Sequence, residues 1–107
     1  MSRRADDPGR VHHGVARVEL HLPGVDSLKG KRAVLKRTEA RLRDELACAV
    51  AEIGFQDLWQ RAALGIATVS GSATGVDRVL DRITAVIERD PRVEVLAVDA
   101  SADVLEG

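Results

Sequence analysis

Seven basic side chains, Lys29, Lys31, Arg32, Lys36, Arg37, Arg41 and Arg43, fall between residues 27 and 43, with Glu39 the one acid among them. The chain as a whole carries −1, so this segment at +6 is balanced by −7 on the remainder. At 100° per residue Lys29, Arg32, Lys36 and Arg43 gather within about 60° on one flank of a helix, while Arg37 and Arg41 turn to its exposed back. A row of cations beside a helix N-terminus, with its free amides and the Ser27 hydroxyl, suits phosphate. Ser27, Lys29, Lys31, Arg32, Lys36 and Arg43 are therefore the candidate nucleic-acid or anion-binding residues. The competing reading is a solvated helix face whose long side chains lie over apolar surface. Lys29, Lys31 and Arg32 favour function, because the macrodipole is positive in the first turn and each cation there costs about 0.3–1 kcal/mol.

A second concentration runs from Glu52 to Arg61. Glu52, Gln56, Asp57, Trp59, Gln60 and Arg61 form a candidate interaction hairpin. Glu52 or Asp57 could act as a general base and Arg61 could hold an oxyanion, which would make the segment a hydrolase site. A polar hairpin pinned by a buried Trp59 explains the same residues structurally. Tryptophan is also enriched at subunit contacts.

Other chemistry is poorly supplied. His12 and His13 are adjacent and His21 stands apart, without zinc-ligand spacing. Cys48, the single cysteine, permits no intramolecular disulfide and reads as a structural thiol in an apolar strand. The loop Ser70 to Gly75 lacks the Gly-Lys-Ser/Thr ending of a phosphate-binding loop. No metal, catalytic residue or cofactor is expected. Phe55 and Trp59 are the only aromatics, so base stacking starts with little material.

The elements that position these residues follow from periodicity. Val15 to Leu22 alternates, with Ala16, Val18, Leu20 and Leu22 on one face and Arg17, Glu19 and His21 on the other. Pro23 and Gly24 end that strand, and Asp26 or Ser27 caps a helix from Leu28 to Glu45 whose stripe is Leu28, Leu35, Leu42 and Leu46. Ala47 to Ile53 and Ala63 to Val69 read as a hairpin with a long connection. A second helix carries Val76, Val79, Leu80, Ile83, Val86 and Ile87 and stops at Asp90-Pro91, and Val93 to Asp99 forms a fourth strand. The expected domain is an α+β, ferredoxin-like β-α-β-β-α-β two-layer sandwich, an antiparallel four-stranded sheet with two helices on one face. It spans residues 14–100, between a disordered tail at 1–13 and a frayed end at 101–107.

One sheet face is left open. Ala67 and Val69 oppose Leu64 and Ile66, and Leu96 and Val98 oppose Val93 and Val95, so the third and fourth strands are apolar on both faces. Strands of that kind usually have both faces covered. A homo-oligomer burying part of the open face or an edge strand is expected.

Two segments carry a family resemblance: Ser27-Leu28-Lys29-Gly30-Lys31-Arg32 after His21-Leu22-Pro23, and Ala51 to Ala62 running into Leu64-Gly65. Over roughly Gly14 to Asp99 the chain resembles the YlxP-like family of small bacterial proteins. The resemblance implies a ferredoxin-like fold, no established activity and a link to ribosomes or RNA. The expected function is a cytoplasmic, non-catalytic binding protein that contacts RNA or a ribosomal surface through the first helix. The alternatives are an oligomeric module with an acidic protein partner and a hydrolase built on residues 52–61. No membrane or small-molecule cofactor partner is expected.

Overall fold

The computed structural model of the chain describes residues 7–106. Six elements follow in the order β1 (His12–His21), α1 (Leu28–Glu45), β2 (Ala49–Gly54), β3 (Arg61–Ser70), α2 (Ala73–Ile87) and β4 (Glu94–Val104). The strands form one antiparallel sheet in the order β2-β3-β1-β4. This is the expected α+β sandwich, with β1 and β3 at the centre of its sheet.

Alternation decides what each face buries. Ala16, Val18, Leu20 and Leu22 face the helices with Ala62, Leu64 and Ile66, all 5% exposed or less. From the helices, Val34, Leu35, Leu42, Ile83, Val86 and Ile87 close the same core. Aliphatic side chains alone fill it. Gly14 allows α2 to lie close on β1: a Cβ there would stand 2.7 Å from Val76 Cγ1 and 3.0 Å from Leu80 Cδ1.

Both helix starts carry a serine cap. Ser27, with extended φ −159°, accepts a hydrogen bond from Gly30 N at 3.0 Å, and Ser72 accepts one from Gly75 N at 3.1 Å. Between the strand ends, Asp90 accepts from Arg92 N at 3.0 Å and from its guanidinium at 2.8 and 2.6 Å. This closes the turn from α2 into β4. Those bonds hold the Asp90 carboxyl down to about 2 against the desolvation that opposes them.

Three boundaries differ from the sequence reading. The strand β1 starts at His12, so two residues assigned to the tail belong to the sheet; residues 1–6 of that tail lie outside the described residues. Ser101 to Val104 are not frayed, because they pair with His12 to Val15, and Leu105 N reaches Val11 O at 2.8 Å. Long-range pairing holds a segment whose Ala, Ser and Asp composition carries little strand signal.

The third difference concerns which way β4 faces. Leu20 pairs with Val95 but Glu19 pairs with Ala97, so Leu96 is an extra residue in a bulge. Val98 therefore returns opposite Val18, on the helix face with Val95 rather than opposed to it. The apolar part of the open face lies instead on β1, β2 and β3, where Val15, Ile53 and Val69 are 53%, 51% and 67% exposed.

Candidate nucleic-acid interface

The cations of α1 separate into two groups with different roles. Lys29, Arg32, Lys36 and Arg37 are exposed, and none meets a carboxylate among the described residues. Arg43 lies 3.9 Å from Glu39 on the next turn back, a loose surface contact. Elsewhere Arg17, Arg61, Arg89 and Arg92 each have an acidic partner, whereas Arg78 and Arg82 on α2 are exposed and meet none among the described residues. Arg32 and Lys36 line a shallow groove with Leu35, Glu39 and Glu52, which puts this flank of the helix along β2, the sheet edge. Arg41 turns the other way, half-buried and near enough to help hold the Asp90 carboxyl low.

Lys31 is not part of that solvent-facing row. Its residue is 2% exposed, and its Nζ donates to Phe55 O and Leu58 O, both at 2.6 Å, with Glu52 Oε2 at 3.4 Å. The correction has a clear cause. Lys31 stands four residues before Leu35, seven before Thr38 and eleven before Leu42, all of them buried, so helical periodicity drives its stem inward. A buried ammonium must find acceptors, and two backbone carbonyls and a carboxylate supply them. Of the three cations that the first turn seemed to leave uncompensated, this one is compensated. Lys29 and Arg32 are not, since the first turn holds no acid.

The two carbonyl acceptors of Lys31 belong to the β2–β3 connection, residues 55 to 60. Phe55 takes a left-handed φ of 57°, which starts the turn, and Leu58 N donates to Phe55 O at 3.0 Å. Gln60 ties the far end, with its Nε2 donating to Val25 O at 3.2 Å and its carbonyl accepting from Leu22 N at 2.9 Å. Backbone and amide contacts thus hold the loop, and Trp59 does not pin it. Trp59 is 50% exposed, beside Leu58 at 49% and Phe55 at 37%. Leu58 and Trp59 are thus exposed on the loop, while the Phe55 ring turns to the open side of the sheet, against Arg61.

The hydrolase residues diverge. Glu52 pairs with Leu64 in the ladder and faces the helices, where Lys31 engages it; Arg61 pairs with His21 and faces the open side. There Arg61 sits 4.7 Å from the centroid of the Phe55 ring and 3.4 Å from Glu19 Oε1. The sheet itself lies between the base and the oxyanion holder. Gln56 and Asp57 are exposed at the loop tip.

Cys48 donates a weak contact to Leu42 O at 3.5 Å, and burial raises its pKa despite nearby Arg43. Among the described residues no three His, Cys, Asp or Glu side chains gather as a metal-ion site. No helix among them is long and apolar enough to cross a membrane.

The comparisons with known proteins fit this architecture. Residues 13–100 match the model of a family described as a protein of unknown function, DUF503. The chain belongs to the DUF503 family. A relative, the uncharacterized protein YlxP of Bacillus subtilis (strain 168), is 42% identical over 81 residues, 76% of this chain and 88% of that one. Among solved structures, a structural-genomics protein named YJCS shares 13% identity at a TM-score of 0.53, over 83% of this chain and 96% of its own. That likeness concerns the fold alone. The two segments that carry the YlxP-like resemblance meet in space: Lys31 of the first holds the loop of the second.

What the sequence reading missed is Phe55 and Leu58 as exposed groups beside Trp59. The signal was present in the hydrophilic setting of the loop, whose neighbours Gln56, Asp57 and Gln60 supply no apolar surface to cover a ring.

Proposed function

We propose that this DUF503 protein is a non-catalytic RNA-binding protein that docks on RNA, free or within a ribosomal particle, through α1. The observation that carries the reading is the row of exposed, unpaired cations Lys29, Arg32 and Lys36, extended by Arg37 and Arg43. Lys29 and Arg32 stand in the first turns of a helix without a compensating acid, so the fold tolerates a local cost there. Phosphates would accept from these side chains, giving salt-sensitive binding with little dependence on sequence. Ser27 occupies one of the helix-start amides by accepting from Gly30 N, and its hydroxyl proton remains to donate to a phosphate. Lys31 contributes indirectly, by fixing the adjacent loop.

The test is co-sedimentation with ribosomes and with total RNA at low salt. The chain should pellet with one or both, and the variant Lys29→Gln/Arg32→Gln/Lys36→Gln should stay in the supernatant. Unchanged pelleting of that variant contradicts the reading. Nuclease treatment separates RNA from an acidic protein partner, because only an RNA-held complex disperses.

A second reading, compatible with the first, is self-association through the open face. Val15, Ala49, Ala51, Gly65 and Ala67 line a shallow apolar basin there, away from α1. The charges beside it are already matched within the chain, Arg17 with Asp99 at 2.6 Å and Arg61 with Glu19 at 3.4 Å. A second copy would meet a flat, neutral surface of small side chains. Such surfaces pack sheet on sheet.

A further inference from the structure

We infer that the protein bridges two RNA segments, as a two-fold pair of chains joined open face to open face with one α1 row on each outer side. The inference rests on the α1 reading and on self-association through the open face, and adds a function that neither contains. Three observations carry it.

The first is the separation of the two surfaces. Val18, Leu20 and Leu64 point to the helices and are buried there, so Val15, Gly65 and Val69, at the alternate positions of the same strands, lie on the side away from α1. The sheet stands between the exposed cations Lys29, Arg32 and Lys36 and anything that covers the open face. Two sheets packed face to face lie about 10 Å apart, and a helix layer adds about 10 Å on each side. The two α1 axes of such a pair are therefore about 30 Å apart, with both sheets between them. An RNA segment lying on one α1 leaves the other free for a second segment.

The second is what the open face offers a second copy. Val15, Ile53 and Val69 are each more than half exposed, where an antiparallel sheet that faces water carries polar residues. Strands of 10, 6, 10 and 11 residues give this face about 600 Å², so two copies cover about 1,200 Å², the lower end for a specific pair. The third is charge. Arg17 with Asp99 and Arg61 with Glu19 are already matched on this face, so a second copy covers paired charges there rather than single ones. The α1 rows oppose a copy that approaches helix to helix. At about 30 Å they are screened from each other, since the Debye length is about 8 Å at physiological salt. A contact in which each copy buries the same patch closes at two chains, so the assembly carries two α1 rows that face opposite ways.

The full chain is mixed with two preparations of one RNA hairpin, its stem about 16 base pairs long, one biotinylated on beads and the other fluorescent. The parent should carry the fluorescent hairpin to the beads, and a large excess of it should release that hairpin again, because each RNA then meets a pair of its own. Val69→Asp, at an exposed position, should bind the hairpin as the parent does, scatter light as a monomer and leave no fluorescence on the beads. Val15→Glu repeats that arm at a second position of the face, so that the test survives the unfolding of either variant. A dimeric parent that binds the hairpin but brings no fluorescence to the beads overturns the inference and leaves both readings standing. A monomeric parent that binds it overturns the inference together with the self-association reading, and a parent that binds no RNA overturns it together with the α1 reading. Bridging by monomeric Val69→Asp places two RNA sites on one chain, and a Val69→Asp that stays dimeric places the contact elsewhere; either contradicts the inference.

Discussion

Lys31 shows how one side chain can be chemically suited to a site and structurally committed elsewhere. Its ammonium binds the Phe55 and Leu58 carbonyls; Phe55 O also accepts from Leu58 N, so the Leu58 carbonyl is the one left unpaired without Lys31, at a cost of about 1–3 kcal/mol. Lys31→Met should therefore lower stability by about 1–3 kcal/mol. It should also change the anisotropy of Trp59 emission, because the loop loses its anchor, while Glu52→Gln has a much smaller effect on both. Chemical denaturation and polarised fluorescence on the two variants check this; equal effects would show that the Glu52 pair, not the carbonyls, matters. The burial of Lys31 was legible at positions 31, 35, 38 and 42, which share one stripe. Its charge hid that spacing, since a lysine read by type alone goes to the surface.

At the level of elements, the strands and helices followed from alternation and from the 3.6-residue period, and the cap was narrowed to Asp26 or Ser27, of which the structure selects Ser27. What escaped was set by partners distant in sequence. The last turns of β4 are held by β1, and the bulge at Leu96 comes from the register between the two strands. Neither leaves a local mark. The turn between α2 and β4 gives a pH-dependent test. Asp90 is 5% exposed and its folded pKa lies near 2, below its ordinary value of 3.8, because Arg92 binds the carboxylate. A depressed carboxyl stabilises the fold fully above its unfolded pKa, and the contribution disappears as pH falls through the folded value. Stability measured by denaturant midpoint should thus fall from about pH 4 to about pH 2, and Asp90→Asn should flatten part of that fall. An identical acid profile in the two proteins would contradict the assignment.

Across the whole molecule, the unpaired α1 cations and the apolar basin lie on different faces. Arg32 and Lys36 of α1 run along the β2 edge, and the apolar basin occupies the open face of β1, β2 and β3. Such segregation lets one face bind a copy while another binds a polyanion. Light scattering at micromolar concentration should give a mass above one chain, with Val69→Asp, on the most exposed valine of that face, shifting it to the monomer; a clean monomer in the parent removes the self-association reading. The charge polarity behind the α1 reading was visible in sequence, but its use was not, because only the fold shows which cations remain unpaired.

The measurement that bears most directly on the central claim is the salt dependence of RNA affinity for the parent chain and for Lys29→Gln/Arg32→Gln/Lys36→Gln. Each phosphate contact adds about 0.7 to the slope of log affinity against log salt for a single strand, so the variant's slope should be shallower by about 2. Its melting temperature should be no lower than the parent's, since cations are removed from a helix N-terminus. Equal slopes and equal affinities in the two proteins would contradict the assignment of α1 as the RNA-binding surface.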